Sequence, residues 1–313
     1  MEKAGLVAAG YLQISAHGRS IIDPTHENVR YYPYTKAQYS VTVRDSNGGA
    51  SGWAGRDHYD WTRIDMEQLS TIALEKCLAM RNPVGVEPGR WTVILEPQAV
   101  CDFTASAFSS SALYRPFNES GKPWVYSEGK SVSHIGQRVF DPRITVTMDC
   151  MDPDLGSVPF TSGGTPLLPM TWVDQGVLSA LAYNQPYAVR KLGLPDGRPS
   201  DGSFRMSGET TTIEDMIATT KRGLRITRFS NVQIIDRPSL LSVGYTRDGI
   251  WLIENGKITK PVKNFRFTES PMFALNNVEQ LGVPQRVFRP SAPVVVPPLK
   301  IRDFNLSSLA DAV

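Results

Sequence analysis

The sequence predicts an α+β fold built mostly from antiparallel strands. Three observations carry that expectation. Short β-prone runs dominate the chain, only two stretches carry a helical stripe, and strands and helices never alternate in the regular manner of a parallel sheet. The 25 glycines and 23 prolines among 313 residues add frequent turns and disfavour a helix bundle. A boundary near Val84 to Arg90 divides a smaller N-terminal lobe from a larger β-rich region.

In the N-terminal lobe, Leu12 to Ser15, Arg19 to Ile22 and Tyr39 to Arg44 are β-prone, the last alternating with period two. Ser46 to Gly52 reads as a turn. The aromatics Tyr31, Tyr32, Tyr34, Trp53, Tyr59 and Trp61 are expected to pack one face of a sheet. A stacking platform for nucleic acid would need more than the few arginines and lysines mixed with acids around them. The first helix starts at Asp65, which can cap it with Gln68 three residues on. Leu69, Ile72, Ala73, Cys77 and Met80 form its buried stripe, and Asn82-Pro83 ends it.

Beyond the boundary, Trp91 to Leu95 is a buried-strand run and Arg143 to Met148 an alternating one, separated by a Ser/Ala-rich segment and a polar loop, Pro116 to Ser131. Met170 to Tyr183 suggests a hairpin turning at Asp174-Gln-Gly176. A second helix is expected from Ile213 to Arg222, capped by Thr211 or Thr212 and stopped by Gly223. Asp248-Gly249 and Asn255-Gly256 both suit type I′ turns and predict a three-stranded meander, Ser242 to Arg247, Ile250 to Glu254 and Lys257 to Val262. Pro290 to Pro298 reads as an extended linker or edge.

Composition excludes several function classes. With 33 Lys+Arg against 31 Asp+Glu, the net charge of +2 lacks the basic excess of a dedicated nucleic-acid binder. No window approaches the roughly 18 uninterrupted apolar residues of a membrane span, and the first residues lack a signal-peptide pattern, so a cytoplasmic location is expected. Cys77, Cys101 and Cys150 form neither a disulfide framework nor a C-x-x-C pair, and buried thiols are the expectation.

The histidines His17, His26, His58 and His134 share no helix-turn spacing, so no H-E-x-x-H zinc motif exists. A zinc site would have to be assembled from distant ligands such as His134, Cys150 and Asp152. Gly129-Lys130-Ser131 ends like a P-loop, but Trp124 stands where its first glycine belongs. There is no G-x-G-x-x-G and no G-x-S-x-G, and the Ser109 to Ser111 run has no nearby base.

The larger region resembles the TldD/PmbA family. Six segments carry the resemblance in order: Trp91 to Pro97, Gly129 to Val139, Arg143 to Pro153, Trp172 to Gly193 with its Ala188 to Gly193 turn, Thr211 to Gly223 leading into Leu224, and Ile253-Glu-Asn-Gly-Lys-Ile258 with Pro261-Val262. The resemblance implies that residues 1–88 are part of the family's N-terminal domain. It also implies that residues 89–313 are its C-terminal domain, a bent antiparallel sheet forming a barrel.

Catalytic members carry H-E-x-x-x-H in the helix after the opening strand and a cysteine near the C-terminus, which together hold zinc. Here Val100 to Phe108 fills the helix position, no His lies between His58 and His134, and no Cys follows Cys150. The family's D-x-E-G stretch reads Phe160 to Pro166 without its acids. The resemblance therefore implies a TldE/PmbA-like subunit with no zinc, no other cofactor and no catalytic residues of its own. Such a subunit would bind an extended peptide and pair with a zinc-bearing TldD-like subunit or with a second copy of itself, without nucleic acid or membrane. Two alternatives stand beside it. One is a stand-alone hydrolase using Cys101 as nucleophile with His134 as base; against it, Cys101 reads as a small core residue. The other is a gyrase-associated protein; Lys257, Lys260, Lys263 and Arg266 are loosely clustered, but such a run is usually a solvated strand face.

Overall fold

The structure, a computed structural model, describes residues 5–23, 28–109, 113–114 and 134–310. The expected polar loop 116–131, with the P-loop-like fragment at its end, lies outside the described residues, as do most of the Ser109 to Ser111 run and the first half of the 129–139 segment.

Three layers make up the molecule. The first is a three-stranded antiparallel sheet of β1 (Leu6–Asp23), β2 (Asn28–Asp45) and β3 (Ser51–His58), covered on one face by α1 (Met66–Ala79). The two β-prone runs expected at Leu12 and Arg19 are one strand. β1 and β2 pair over 18 residues each, from Leu6↔Asp45 to Asp23↔Asn28. Ala16, His17 and Gly18 are weak strand formers, and the continuous ladder carries them. α1 begins as the sequence predicts, with the Asp65 carboxylate accepting the Gln68 N–H at 2.8 Å. Leu69, Ala73 and Cys77 pack into the sheet, where Gly52 lets the helix backbone approach so closely that any Cβ would lie 2.2 Å from the Ala73 carbonyl.

The second layer is a closed barrel. β10 (Leu241–Glu254), β12 (Phe265–Glu269), β16 (Leu299–Leu309), β4 (Gly89–Leu95) and β9 (Arg222–Asp236) follow one another, and β9 pairs back onto β10. β11 (Lys257–Pro261) and β13 (Val278–Leu281) add to β10 and β16. Closure removes the sheet edges that would otherwise need protection. α2 (Pro97–Thr104) follows β4 directly and sends Phe103 into a cluster with Phe229, Phe267 and Phe304, all fully or almost fully buried, with ring centroids 4.6 to 6.1 Å apart. Edge-to-face rings at this spacing add to the stabilisation that burial provides.

The third layer is a six-stranded sheet ordered β14 (Gln285–Arg286), β15 (Val294–Val296), β8 (Phe204–Met206), β5 (Val146–Met148), β6 (Met170–Asp174) and β7 (Val177–Leu178). The β6–β7 turn falls at Gln175-Gly176, as expected. β15 is a buried strand inside the Pro-rich stretch, parallel to β8, rather than a linker or an edge.

Two further expectations are corrected. Asp248-Gly249 is not a hairpin turn but a bulge within β10. Both residues have positive φ, yet Ile250 to Glu254 continue to pair with β9, so the ladder overrides the local turn preference. The second helix is shorter than expected, Ile213–Ala218, because β9 starts at Arg222. Its start is a capping box in which Thr212 and Asp215 bond reciprocally. No helix among the described residues is long and apolar enough to cross a membrane.

Candidate functional site

The helix position that the family resemblance marks is α2. Pro97 at its first turn and Glu96 as N-cap fix where it leaves β4. The Glu96 carboxylate binds Lys76 of α1 at 2.6 Å and Arg225 of β9 at 2.8 and 2.9 Å. Burial alone would raise its pKa, but Lys76 and then Arg225 hold it below the usual carboxylate range. Glu96 thus ties the first layer to the barrel.

Cys101 lies inside the core at 2% exposure. Burial drives its thiol far above the ordinary cysteine range, and Asp102 pushes the same way. Arg289 pulls it back and Asp57 adds to the rise, each by less. His134 sits at a turn in which its carbonyl accepts the Gln137 N–H. Asp102, next along α2, has one oxygen on the Gln98 amide at 2.8 Å and the other on the Phe229 N–H at 3.0 Å. Although it keeps some solvent contact, desolvation raises its pKa to about 6. The donor set at the family's zinc position is therefore a buried, protonated thiol and a carboxylate already engaged, which does not fit a zinc site. The distant set fares no better. Asp152 is held bidentately by Arg205 at 2.6 and 2.9 Å, and the Cys150 thiol faces the Leu167 carbonyl. Among the described residues no group of three or more His, Cys, Asp or Glu side chains is arranged to hold a metal ion.

A second feature is a cleft of about 490 Å³ between the distal half of the β1–β2 ribbon and the loops carrying Ser157 and Pro290. It exists because β3 leaves β2 early. Their pairing runs from Arg44↔Ser51 to Ala37↔His58, so β2 from Asn28 to Lys36 pairs only with β1 among the described residues. The chain that turns away is pinned by Tyr59, whose carbonyl accepts the Thr35 hydroxyl and whose own hydroxyl donates to the Pro153 carbonyl at 2.7 Å. Next to it a shallower hollow of about 470 Å³ continues along Tyr32, Pro33 and Tyr34. His17 stacks on Tyr34 at 5.0 Å, which stiffens this wall. The aromatics do not all share one face, contrary to the expectation from the sequence. Tyr32 and Tyr34 line the hollow beside the cleft, whereas Tyr31 and Trp61 are exposed and Trp53 is buried beneath Arg228.

Charge in the cleft is arranged around Asp57, which is nearly fully buried. Arg286 Nη2 donates to it at 2.9 Å, and the Arg289 N–H at 2.7 Å. His58 is depressed by burial and by Arg286, so its ring is neutral, with Nδ1 accepting the Asp60 N–H. None of these residues carried a signal in the sequence. Arg286 ends the two-residue strand β14 and Arg289 lies in the irregular backbone after it, and their convergence on Asp57, 229 and 232 positions away, is purely tertiary.

The family model described as the PmbA/TldA metallopeptidase C-terminal domain matches residues 88–308. Among solved structures, TldE from Thermococcus kodakarensis superposes with a TM-score of 0.78 at 14% identity, over 97% of this chain and 70% of that one. A candidate modulator of DNA gyrase from Bacteroides thetaiotaomicron gives 0.78 at 17% identity, covering 97% and 67% of the two chains. Another from Thermotoga maritima gives 0.71 at 18%, covering 89% and 64%. At these identities the likeness is one of fold, and this chain spans about two thirds of each neighbour's length. The family match covers well over half of the chain, so the protein belongs to the PmbA/TldD family.

Proposed function

We propose that this protein is a peptide-binding, non-zinc member of its family, holding an extended peptide along the free edge of β2 in the cleft. One observation carries the reading: among the described residues β2 from Asn28 to Lys36 pairs only with β1, and its Tyr34 to Lys36 end borders a cleft with both apolar and polar walls. An extended segment laid there would continue the place in the sheet that β3 vacates. Main-chain hydrogen bonds would supply affinity and alternate side-chain pockets specificity. Catalysis would come from a partner, a zinc-bearing TldD-like subunit, since α2 presents an engaged carboxylate and a buried thiol. Expected assembly is a dimer with that partner, or with a second copy, in the cytoplasm.

Fluorescence anisotropy with a labelled alanine–valine hexapeptide tests the binding mode. Methylating alternate backbone nitrogens removes donors on one edge of the peptide without changing its side chains. The methylated peptide whose lost donors face β2 should bind at least about tenfold more weakly, the equivalent of one or two charge-neutral hydrogen bonds. Equal affinity for both methylation registers would overturn strand addition. Light scattering with a zinc-bearing relative should show a heterodimer, and monomers in the mixture would overturn the subunit assignment.

A further inference from the structure

The cleft is selective for peptides that carry a carboxylate, we infer from the donors it leaves unused; this rests on the peptide-binding reading above. Four cationic side chains line it, Arg19, Lys36, Arg286 and Arg289, against two carboxylates, Asp57 and Asp201. Asp57 is turned into the protein and Asp201 is half-buried. Asp57 uses its two oxygens on Arg286 and on the Arg289 N–H. Asp201 accepts the N–H and the hydroxyl of Ser203 through one oxygen. The cations are less completely used. Lys36 Nζ donates to the Pro290 carbonyl and Arg289 Nη1 to the Gly202 carbonyl, neutral acceptors that leave the charge uncompensated.

Arg286 is decisive. Its side chain is only 9% exposed, and its Nη atoms reach Asp57 and the carbonyls of Asp154 and Leu155. Among the described residues, its Nε is buried without an acceptor, and the hydroxyl of Ser157, which lines the same cleft, is buried without a hydrogen-bond partner. A buried guanidinium N–H without an acceptor costs free energy that an incoming oxygen anion would recover. Two unsatisfied donors beneath an excess of positive charge call for an acceptor group. Of the groups a peptide brings, a carboxylate best matches this wall, because it offers acceptor oxygens and compensates the charge. Its source is either the peptide's C-terminus or a glutamate or aspartate side chain.

Four labelled alanine–valine hexapeptides separate these outcomes: a C-terminal acid, the matching amide, and amides carrying glutamate or glutamine at one position. The acid or the glutamate peptide should bind about tenfold more tightly than its neutral twin, and which pair differs identifies the source. The preference should shrink between 50 mM and 500 mM salt, because the outer part of the cleft is open to screening. Arg286 holds the local fold, so its replacement risks unfolding. Arg19→Gln on the exposed ribbon avoids that problem and should narrow the acid-to-neutral ratio about threefold. Equal binding of all four peptides would overturn the selectivity while leaving peptide binding intact. Binding of none would overturn the cleft reading and this inference with it.

Discussion

Replacing Glu96 with glutamine should loosen the joint between the first layer and the barrel. The carboxylate is 12% exposed and sits between Lys76, 14% exposed, and Arg225, 23% exposed. The glutamine side chain keeps the volume but removes the charge both cations face. Removing one partner of a buried ion pair costs roughly 3–5 kcal/mol, because the charge left behind remains desolvated. Here both cations keep some water, so the lower end applies, about 3 kcal/mol. In a protein of this size that lowers Tm by roughly 4–6 °C. Urea unfolding of the parent, Glu96→Gln, Lys76→Met and the double variant measures it. The double variant should recover about 1–2 kcal/mol relative to additivity, since Lys76 no longer stands uncompensated. The pH dependence has a fixed sign. Lys76 and Arg225 lower the carboxyl against its burial, so its stabilisation is present above the ordinary carboxylate range and lost as pH falls through the depressed value. A Glu96→Gln variant unfolding within about 1 kcal/mol of the parent would refute this reasoning.

Asp102 should behave in the opposite sense. Its pKa is raised by burial to about 6, so its contribution is complete below pH ~4 and lost as pH rises through about 6. Between those limits the parent should lose about 1–2 kcal/mol relative to Asp102→Asn, after discounting for its remaining solvent contact, as read from urea midpoints across pH; parallel profiles would contradict the shift. Gly176→Ala should cost at least about 2 kcal/mol. Gly176 has φ +79, and a Cβ there would lie 2.2 Å from the Phe140 carbonyl oxygen. The control Gly49→Ala, with open space around it, should stay within about 0.5 kcal/mol in the same thermal melts.

Local chemistry made part of the fold legible. The Asp65 cap, the Gln175-Gly176 turn and the Asn255-Gly256 hairpin all form where their residues predict, because each rests on bonds within a few residues. Asp248-Gly249 shows the limit of that reasoning. It has the same composition as a hairpin turn and positive φ at both residues, but the pairing of Ile250 with Ile226 and of Ile253 with Gly223 carries the strand on through a bulge. The long ribbon was hidden for a related reason, since Gly18 opposite Pro33 breaks the β pattern that the ladder restores. The position of α2 was legible from the family resemblance of Trp91 to Pro97, the strand that leads into it. Its neighbours were not. The bonds from Asp102 to Phe229, from Gln98 to Phe288 and from Arg286 to Asp57 each span more than 120 residues. No spacing rule reaches across such separations.

Strand addition at β2 is open to a direct measurement: amide deuterium uptake across residues 28–36, with and without a saturating extended peptide. Opening and exchange of an unpaired edge strand are slowed when a second strand satisfies its N–H groups. Strand addition predicts that uptake across 28–36 slows on binding, while β1 over residues 6–14, far from the cleft, is unchanged. Peptide binding without protection of 28–36, or protection confined to β1, would contradict it.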